Sequence, residues 1–596
     1  MITSSVALVA PPWPLFNRPS IQIGVLKPYL ERHVGVKVRG FHPYLYLASR
    51  LGFKQYHRIS LSSWSSEAVA SSLLFPEKTR ECESVFIKEL GRKSDIGTDK
   101  SLSFSVVSQC MNDTMTHFST SIDWSSFLMV GFTVCLNQLS SSLFLSRLIK
   151  EKFPGTPIVF GGPGCAGDMG KGILDVFPWV DYIIIGEGEL PLRDLIRHLL
   201  GQGDFPERGV ISRDNAVDEL PSAMQIRDLN ELPFPNFDDY YRELGQTKAN
   251  FYPVLPVEGS RGCWWSRCRF CNLNLQWHGY RAKDARHISS EIDYLSRRYK
   301  ALDFAFMDNA LPRRSAARIF ELIATHKRHY KFFCELRAVH NRDEFRCMAS
   351  GGLRDLQVGI EALSPDLLSL IRKGVGVIDN IAAMKHSHET GIRLDGNLIL
   401  HFPKATEDHV KETLAMLDLV WPFPPLKTVS FWLGLDSPLF KDASSFGIKG
   451  ISAHPYYYSL FPRDLVNRLT FTMLSYRGDR GFQRRIWKPV ELKVKKWQYN
   501  YKKLSGLAPF LSYRDGGDFI HIRQVLPDGR VLHHRLYGAS RQIYLSALSP
   551  VRVEKLLPLV PENNVKALDD FIKKMQDKRL MYREKDKVIS LAIESL

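Results

Sequence analysis

The chain has 596 residues, 44% hydrophobic and 24% charged, with a formal net charge of +17. That length is too great for one core and predicts about three or four domains, and the composition excludes a disordered chain. Nine cysteines, six of them scattered, make no secreted disulfide framework, and no apolar run reaches the ~18 residues of a membrane span, so a reducing cytoplasm is expected. The opening MITSSVALVAPPWPLF lacks a basic n-region and reads as a buried first strand, not a signal peptide.

Residues 1–200 alternate strand-like and helix-like runs. SSVALVAPP, VKVRGF, FLMVGFTV, PIVFGG and VDYIIIGEGE read as strands; SIQIGVLKPYLERH, QLSSSLFLSRLIKEKF, GKGILDVF and LPLRDLIRHLL read as helices. Such alternation predicts an α/β doubly wound parallel sheet, whose ligands lie at the carboxyl ends of the strands. Those ends read GFTVCLNQ, FGGPGCAG and IGEGE, and their glycines allow backbone to approach a large flat ligand. A Ser-rich stretch, about 43–122, has no strong period and is expected to be an irregular insert. Residues 201–250 read as a linker packed over both neighbours.

A second alternating region, 251–450, contains about six β/α units and predicts a partial or closed β/α barrel. Active-site candidates at its strand ends are Asp308, Glu335, Arg337, Glu361, Asn397, His401 and Asp436. Residues 451–596 change character. FIHIRQVLPDGRVLHHRL predicts a hairpin around Pro-Asp-Gly, and the amphipathic ENNVKALDDFIKKMQDKRL leads into a second hairpin, MYREKDKVISLAI. A helix followed by two strands resembles a small winged-helix module suited to docking, so an α+β C-terminal region is expected. The densest basic stretch, Arg484–Lys503, interleaves Trp487, Trp497 and Tyr499. These could stack on nucleic-acid bases; the reading preferred here is a solvated helix with its aromatic residues turned to the core.

The chemistry concentrates in VEGSRGCWWSRCRFCNLNLQWHG, where Cys263, Cys268 and Cys271 fall in a Cys-x4-Cys-x2-Cys loop after the first barrel strand. Thiolates are soft ligands for iron–sulfur clusters or zinc. Three thiolates hold three irons of a 4Fe–4S cube and leave the fourth open to a chelating substrate. Zinc would need one more ligand, which His278 could supply. Spacing leaves both open. Glu361 could equally cap the following helix, and Glu335 with Arg337, two apart on one strand, could form a structural ion pair.

The loop resembles that of the radical S-adenosylmethionine (SAM) enzymes, with Phe270 at the aromatic position before the last cysteine. The run from MVGFTVCLNQ to IIIGEGE is similar to the cobalamin-binding, Rossmann-like domain that precedes many of these barrels. RPSIQIGVLKPYLE, EGSRGCWW, VGIEALSPDLLSLIRKG and ISLAI resemble one subgroup, the radical SAM C-methyltransferases that mature ribosomally made peptides. The resemblance runs end to end, although 43–122 carries little of it. It implies a 4Fe–4S cluster on Cys263, Cys268 and Cys271, and SAM contacts at Phe270, Glu335, Arg337, Glu361 and Asn397. It also implies cobalamin contacts at Thr133, Gln138, Gly161, Gly162, Gly186, Glu187 and Gly188. The implied partners are a precursor peptide and a flavodoxin- or ferredoxin-like electron donor, with no membrane or nucleic acid.

Three departures stand out. Four residues lie between the first two cysteines where many radical SAM enzymes have three, although members of the subgroup often have more. HFPKATED carries His401 and Lys404 where relatives usually have glycines. The Asp-x-His-x-x-Gly signature of a lower-ligand histidine is absent, so cobalt is expected base-off, its lower face sheltered near WPLFNRPS or FTVCLNQ. The competing functions are the same cofactors acting on a small molecule or in a non-methylating rearrangement, and a nucleic-acid-binding protein with structural zinc.

Overall fold

The computed structural model describes residues 4–92, 102–214, 223–273 and 275–595. Its first sheet contains β1 (Ser5–Val9), β2 (Lys37–Phe41), β3 (Phe127–Thr133), β4 (Ile158–Gly161), β5 (Tyr182–Ile184) and β6 (Val210–Ser212). The order is β2-β1-β3-β4-β5-β6, parallel except for β6. Between the strands run helices such as Ile21–Val34, which starts where Ser20 Oγ accepts from Ile23 N and stops at Gly35 with φ +78°. β6 lies in the stretch read as linker. Later in that stretch Asp239 bonds Lys27 at 2.6 Å and Gly40 N at 2.7 Å, while Phe237 joins the second core.

The described part of 43–122 is helical, which corrects the expected irregular insert; residues 93–101 of that stretch lie outside the description. Helices Pro43–Leu51, Phe53–Ser60, Ser63–Leu74, Thr79–Arg92 and Phe104–Thr120 pack beside the sheet. The reason is visible in SWSSEAVASSLL, which is buried on several sides and so shows no apolar stripe. Its serines are satisfied within the protein: Ser66 donates to Ser62 O at 3.0 Å, Ser72 to Val69 O at 2.8 Å, and Ser71 meets Ser140 at 2.8 Å.

The second sheet is formed by β7 (Leu255–Val257) and, beyond the short hairpin of β8 (Ser260–Arg261) and β9 (Arg281–Ala282), by β10 (Asp303–Phe306), β11 (Lys331–Leu336), β12 (Leu353–Glu361), β13 (Arg393–Leu400) and β14 (Lys427–Ser430). It is parallel in the order β14-β13-β12-β11-β10-β7, a partial (β/α)6 barrel with β7 and β14 as its edges. Each half has its own apolar core. After the barrel the chain returns to the first core through Tyr457, Leu460, Phe461, Leu469 and Phe471.

A small sheet follows, of β15 (Leu433–Gly434), β16 (Gly450–Ala453) and β17 (Met473–Arg477). The helix Arg480–Lys503 buries Trp487 and Trp497, whose N–H groups donate to Gln483 at 3.1 Å and Trp421 O at 3.1 Å; only Tyr499 of the three aromatic residues is exposed. β18 (Leu511–Asp515), β19 (Phe519–Val525) and β20 (Val531–Tyr537) form an antiparallel unit. β21 (Val551–Arg552), helix Val565–Asp577, β22 (Met581–Glu584) and β23 (Lys587–Ser590) form the second expected hairpin region, and β24 (Ile593–Glu594) joins β18. No described helix is long and apolar enough to cross a membrane.

Candidate active site

The carboxyl ends of the two sheets face one cavity of about 930 Å³. Ligand pockets span roughly 300–1,000 Å³, so this one suits a large ligand. From the first sheet it is lined by Thr133, Gly161, Gly162, Gly186, Glu187 and Gly188; from the second half by Ser260, Gly262, Asn272, Trp277 and Asn309. The FGGPG turn wraps closely over β3: a Cβ at Gly162 or Gly164 would lie 3.0 or 2.9 Å from Val134 O. Gly262 has φ +83°, and a Cβ there would meet Gly279 O at 2.2 Å. That glycine therefore closes the cysteine loop on itself.

Gln138 is absent from the lining. Its amide accepts from Cys135 N at 3.0 Å and donates to Pro11 O at 2.8 Å, so it braces the chain behind the cavity. Glu187 lines the cavity, but its carboxylate accepts from Arg261 at 2.7 Å and from Arg281. Of the two stretches expected near the lower face of cobalt, Cys135, Leu136 and Asn137 line the cavity, while Trp13 is buried against Tyr56.

The cysteine loop borders the cavity through Gly262 and Asn272. Cys268 is buried and Cys263 and Cys271 are partly so. Burial raises the Cys268 thiol, opposed by Lys373 and Arg337; burial pushes Cys271 up to about 11, with Cys268 and Cys263 adding to the rise. The three sulfurs thus lie in one another's field, with two cations nearby. Among the described residues no three His, Cys, Asp or Glu groups converge at single-ion distances. His278, the fourth ligand of the zinc alternative, is exposed.

Beside Cys268 the barrel ends converge. Arg337 Nη1 stands 3.9 Å from Cys268 Sγ, and Nη2 donates to Lys373 O. Its guanidinium lies 5.1 Å from the Trp264 ring centre and 4.9 Å from that of Trp265. Lys373 Nζ donates to Glu361 at 3.1 Å and lies 5.8 Å from the Phe270 ring centre. Glu361 sits after a break in the β12–β13 register, in the left-handed region at φ +62°, which turns the strand end. Ser364, not Glu361, caps the following helix, accepting from Leu367 N at 3.0 Å.

Glu335 is pushed up to about 7, first by burial, then by Glu361 and Asp308, with Lys373 opposing. Arg337 pairs with backbone and sulfur, so the ion-pair reading of Glu335 with Arg337 does not describe this geometry. Asn397 lies one strand over on β13, in register with Lys427. Asp308 accepts from Gly259 N at 3.0 Å and from Ser260 Oγ, and burial lifts it to about 7.

Lys373 is the residue that sequence reasoning missed. It lies in the quoted IRKG but at no strand end, so only its charge beside a family-like stretch could have singled it out. His401 and Lys404 both adopt left-handed φ, +65° and +63°. His401 Nδ1 meets Ser430 Oγ at 3.2 Å, and its Nε2 lies 3.5 Å from Glu491.

With this geometry in place, comparison with known proteins shows what the chain is similar to. Residues 257–417 match the family model of the Radical SAM superfamily. The chain is also similar to particular proteins. It is 25% identical over 294 residues to the uncharacterized methyltransferase PH0819 of Pyrococcus horikoshii, covering 48% of this chain and 63% of that protein. It is 25% identical over 278 residues to the hopanoid C-3 methylase of Methylococcus capsulatus, covering 43% and 49%. The chain therefore spans from about half to less than two thirds of these curated relatives.

Among solved structures it resembles the cobalamin-dependent SAM radical enzyme OxsB with aqua-cobalamin bound, at TM-score 0.56 and 15% identity over 85% of this chain and 74% of that one. TsrM from Kitasatospora setae, with cobalamin and a [4Fe-4S] cluster bound, matches at TM-score 0.54 and 15% identity over 83% and 89%. The shared fold is an N-terminal Rossmann-like sheet joined to a radical SAM parallel sheet.

Proposed function

We propose that this chain is a cobalamin-dependent radical SAM C-methyltransferase that acts on an unactivated carbon of a ribosomally made precursor peptide, with a flavodoxin- or ferredoxin-like electron donor. The observation that carries the cofactor reading is one cavity shared by the carboxyl ends of both sheets, which the three-cysteine loop reaches through its flanking Gly262 and Asn272.

The residues fit the groups. Three thiols within nine residues suit an iron–sulfur cluster and leave one iron free for SAM. Glu335, Arg337, Lys373 and Glu361 offer both charge signs to a zwitterionic ligand. In the cavity, Asn137 Oδ1 and Asn309 Nδ2 are buried without a hydrogen-bond partner, as a ligand rich in amides would require. When bound, these groups supply a carbon radical generated by one-electron reduction and a transferable methyl group.

The protein's own share is placement and exclusion. Arg337 and Lys373 set two cations against the thiolates. Trp264 and Trp265 cover Arg337 and keep water from the loop. The glycine turns bring backbone up to a flat ligand. The peptide reading is supported by the net charge and by the C-terminal strands.

The test uses anaerobically reconstituted protein with SAM, hydroxocobalamin and a strong reductant. Formation of both 5′-deoxyadenosine and S-adenosylhomocysteine, lost in Cys268→Ala, is expected. Deoxyadenosine alone would move the reading to a non-methylating reaction. Neither product, with zinc bound, would overturn it.

A further inference from the structure

The C-terminal sheet carries a face that the candidate site does not use. Its order is β20-β19-β18-β24, so β20 is an open edge seven residues long. The register places Arg514, His521 and Arg535 in one row across three strands, and Arg523 beside His533 in the next. Phe519 and Tyr537 close the row beyond, with ring centres 6.2 Å apart. No Asp or Glu of these three strands shares that face. Arg514, His521, His533, Arg535 and Tyr537 are exposed. Arg523 is tied to Leu507 O at 3.0 Å and Pro509 O at 2.9 Å. Arg514 and Arg535 have no ion pair among the described residues.

Basic groups directly opposite one another weaken a sheet. Charge on an edge strand alone is a common guard against aggregation. Here the basic rows extend inward to the third strand, while the edge itself exposes Val531 at 38%, Leu532 at 40% and Tyr537 at 57%. This edge is therefore charged but not blunted.

We infer that the open edge of β20 and its basic face dock an extended acidic polypeptide segment as an added strand. Main-chain bonds to β20 supply affinity. Side chains on one face of a strand recur every ~6.8 Å, so alternate Asp or Glu residues would meet Arg535 and His533, with Arg514 adding attraction behind them. The inference rests on the reading that the substrate is a polypeptide, and assigns this surface to a recognition segment of it.

The test is fluorescence anisotropy of the full chain with a labelled twelve-residue peptide alternating Glu and Thr. Saturable binding is expected, weakened at least tenfold by Arg535→Glu and by Arg514→Glu, and abolished when alternate peptide nitrogens are methylated. Equal binding of the methylated peptide, indifference to both charge reversals, or tighter binding of a twelve-residue oligothymidylate would overturn the proposal. Deoxyadenosine formation is measured on the same preparation. Radical chemistry without peptide binding removes the docking surface alone, and peptide binding without radical chemistry removes the enzymatic reading alone.

Discussion

Arg261, beside the cysteine loop, meets Glu187, from the glycine turn of the first sheet, at 2.7 Å, both side chains nearly fully buried. Arg261 also reaches Glu189 at 2.6 Å and Glu258 at 3.0 Å, and Arg281 joins Glu187. The acidic residues of GEGE thus clamp the two halves of the protein around the cavity.

Removing one partner of a buried ion pair leaves uncompensated charge and costs roughly 3–5 kcal/mol. Arg261→Met is expected to destabilise the protein by that amount in urea unfolding and to weaken cobalamin binding. Arg261→Lys keeps the charge but loses the fork that spans several carboxylates, and should recover only part of it.

Gly374 has φ +72°, and a Cβ there would lie 1.9 Å from Trp265 Cζ2. The Trp265 N–H donates to Arg372 O at 2.9 Å, pinning the cysteine loop to this turn. Gly374→Ala should therefore displace the loop and lower iron and sulfide content several-fold. Gly391→Ala is the control, because Gly391 has φ +71° with nothing within 4 Å. It carries the same backbone strain without the collision, and should retain its iron.

Glu335, lifted to about 7, is largely protonated below that pH in the folded protein. An unfolded Glu releases its proton near about 4.3. The folded state therefore holds the extra proton between these values, and this group's contribution to stability falls as pH rises through the window. SAM carries positive sulfonium and ammonium groups, so its affinity should rise up to about tenfold from pH 6 to 8, a shift of ~1.4 kcal/mol. Calorimetric titration checks this: Glu335→Gln should abolish the rise, and Lys373→Met should weaken SAM at every pH.

Lys385 is buried with no carboxylate in contact. It donates to Leu548 O and Ser590 O, each at 2.7 Å, and burial lowers it to about 7. Between that value and about 10.4 the unfolded chain holds a proton that the folded chain lacks, so stability should increase with pH by up to ~1.4 kcal/mol per unit. Denaturant midpoints across this range should show that slope, and Lys385→Met should flatten it. The variant also leaves two buried carbonyls without their donor and should be less stable at pH 9.

The sequence by itself determined what lies within a few residues along the chain. Cys263, Cys268 and Cys271 are candidate ligands at short spacing, the strand-end glycines follow apolar runs directly, and the β/α alternation is a local period. These features place the cysteine loop and the carboxyl ends of both sheets, which line the cavity. Tertiary structure alone decided the rest. It turned a Ser-rich stretch into buried helices whose hydroxyls bond locally, so hydrophobic period was silent there. It gave Lys373 its place between Glu361, Phe270 and Arg337, turned Gln138 from the cavity to a brace, and brought Tyr457 and Phe471 back to the first core. It aligned Arg514, His521 and Arg535 across three strands. Each of these depends on which distant segments exclude water together, and burial of that kind leaves no local period or spacing to read.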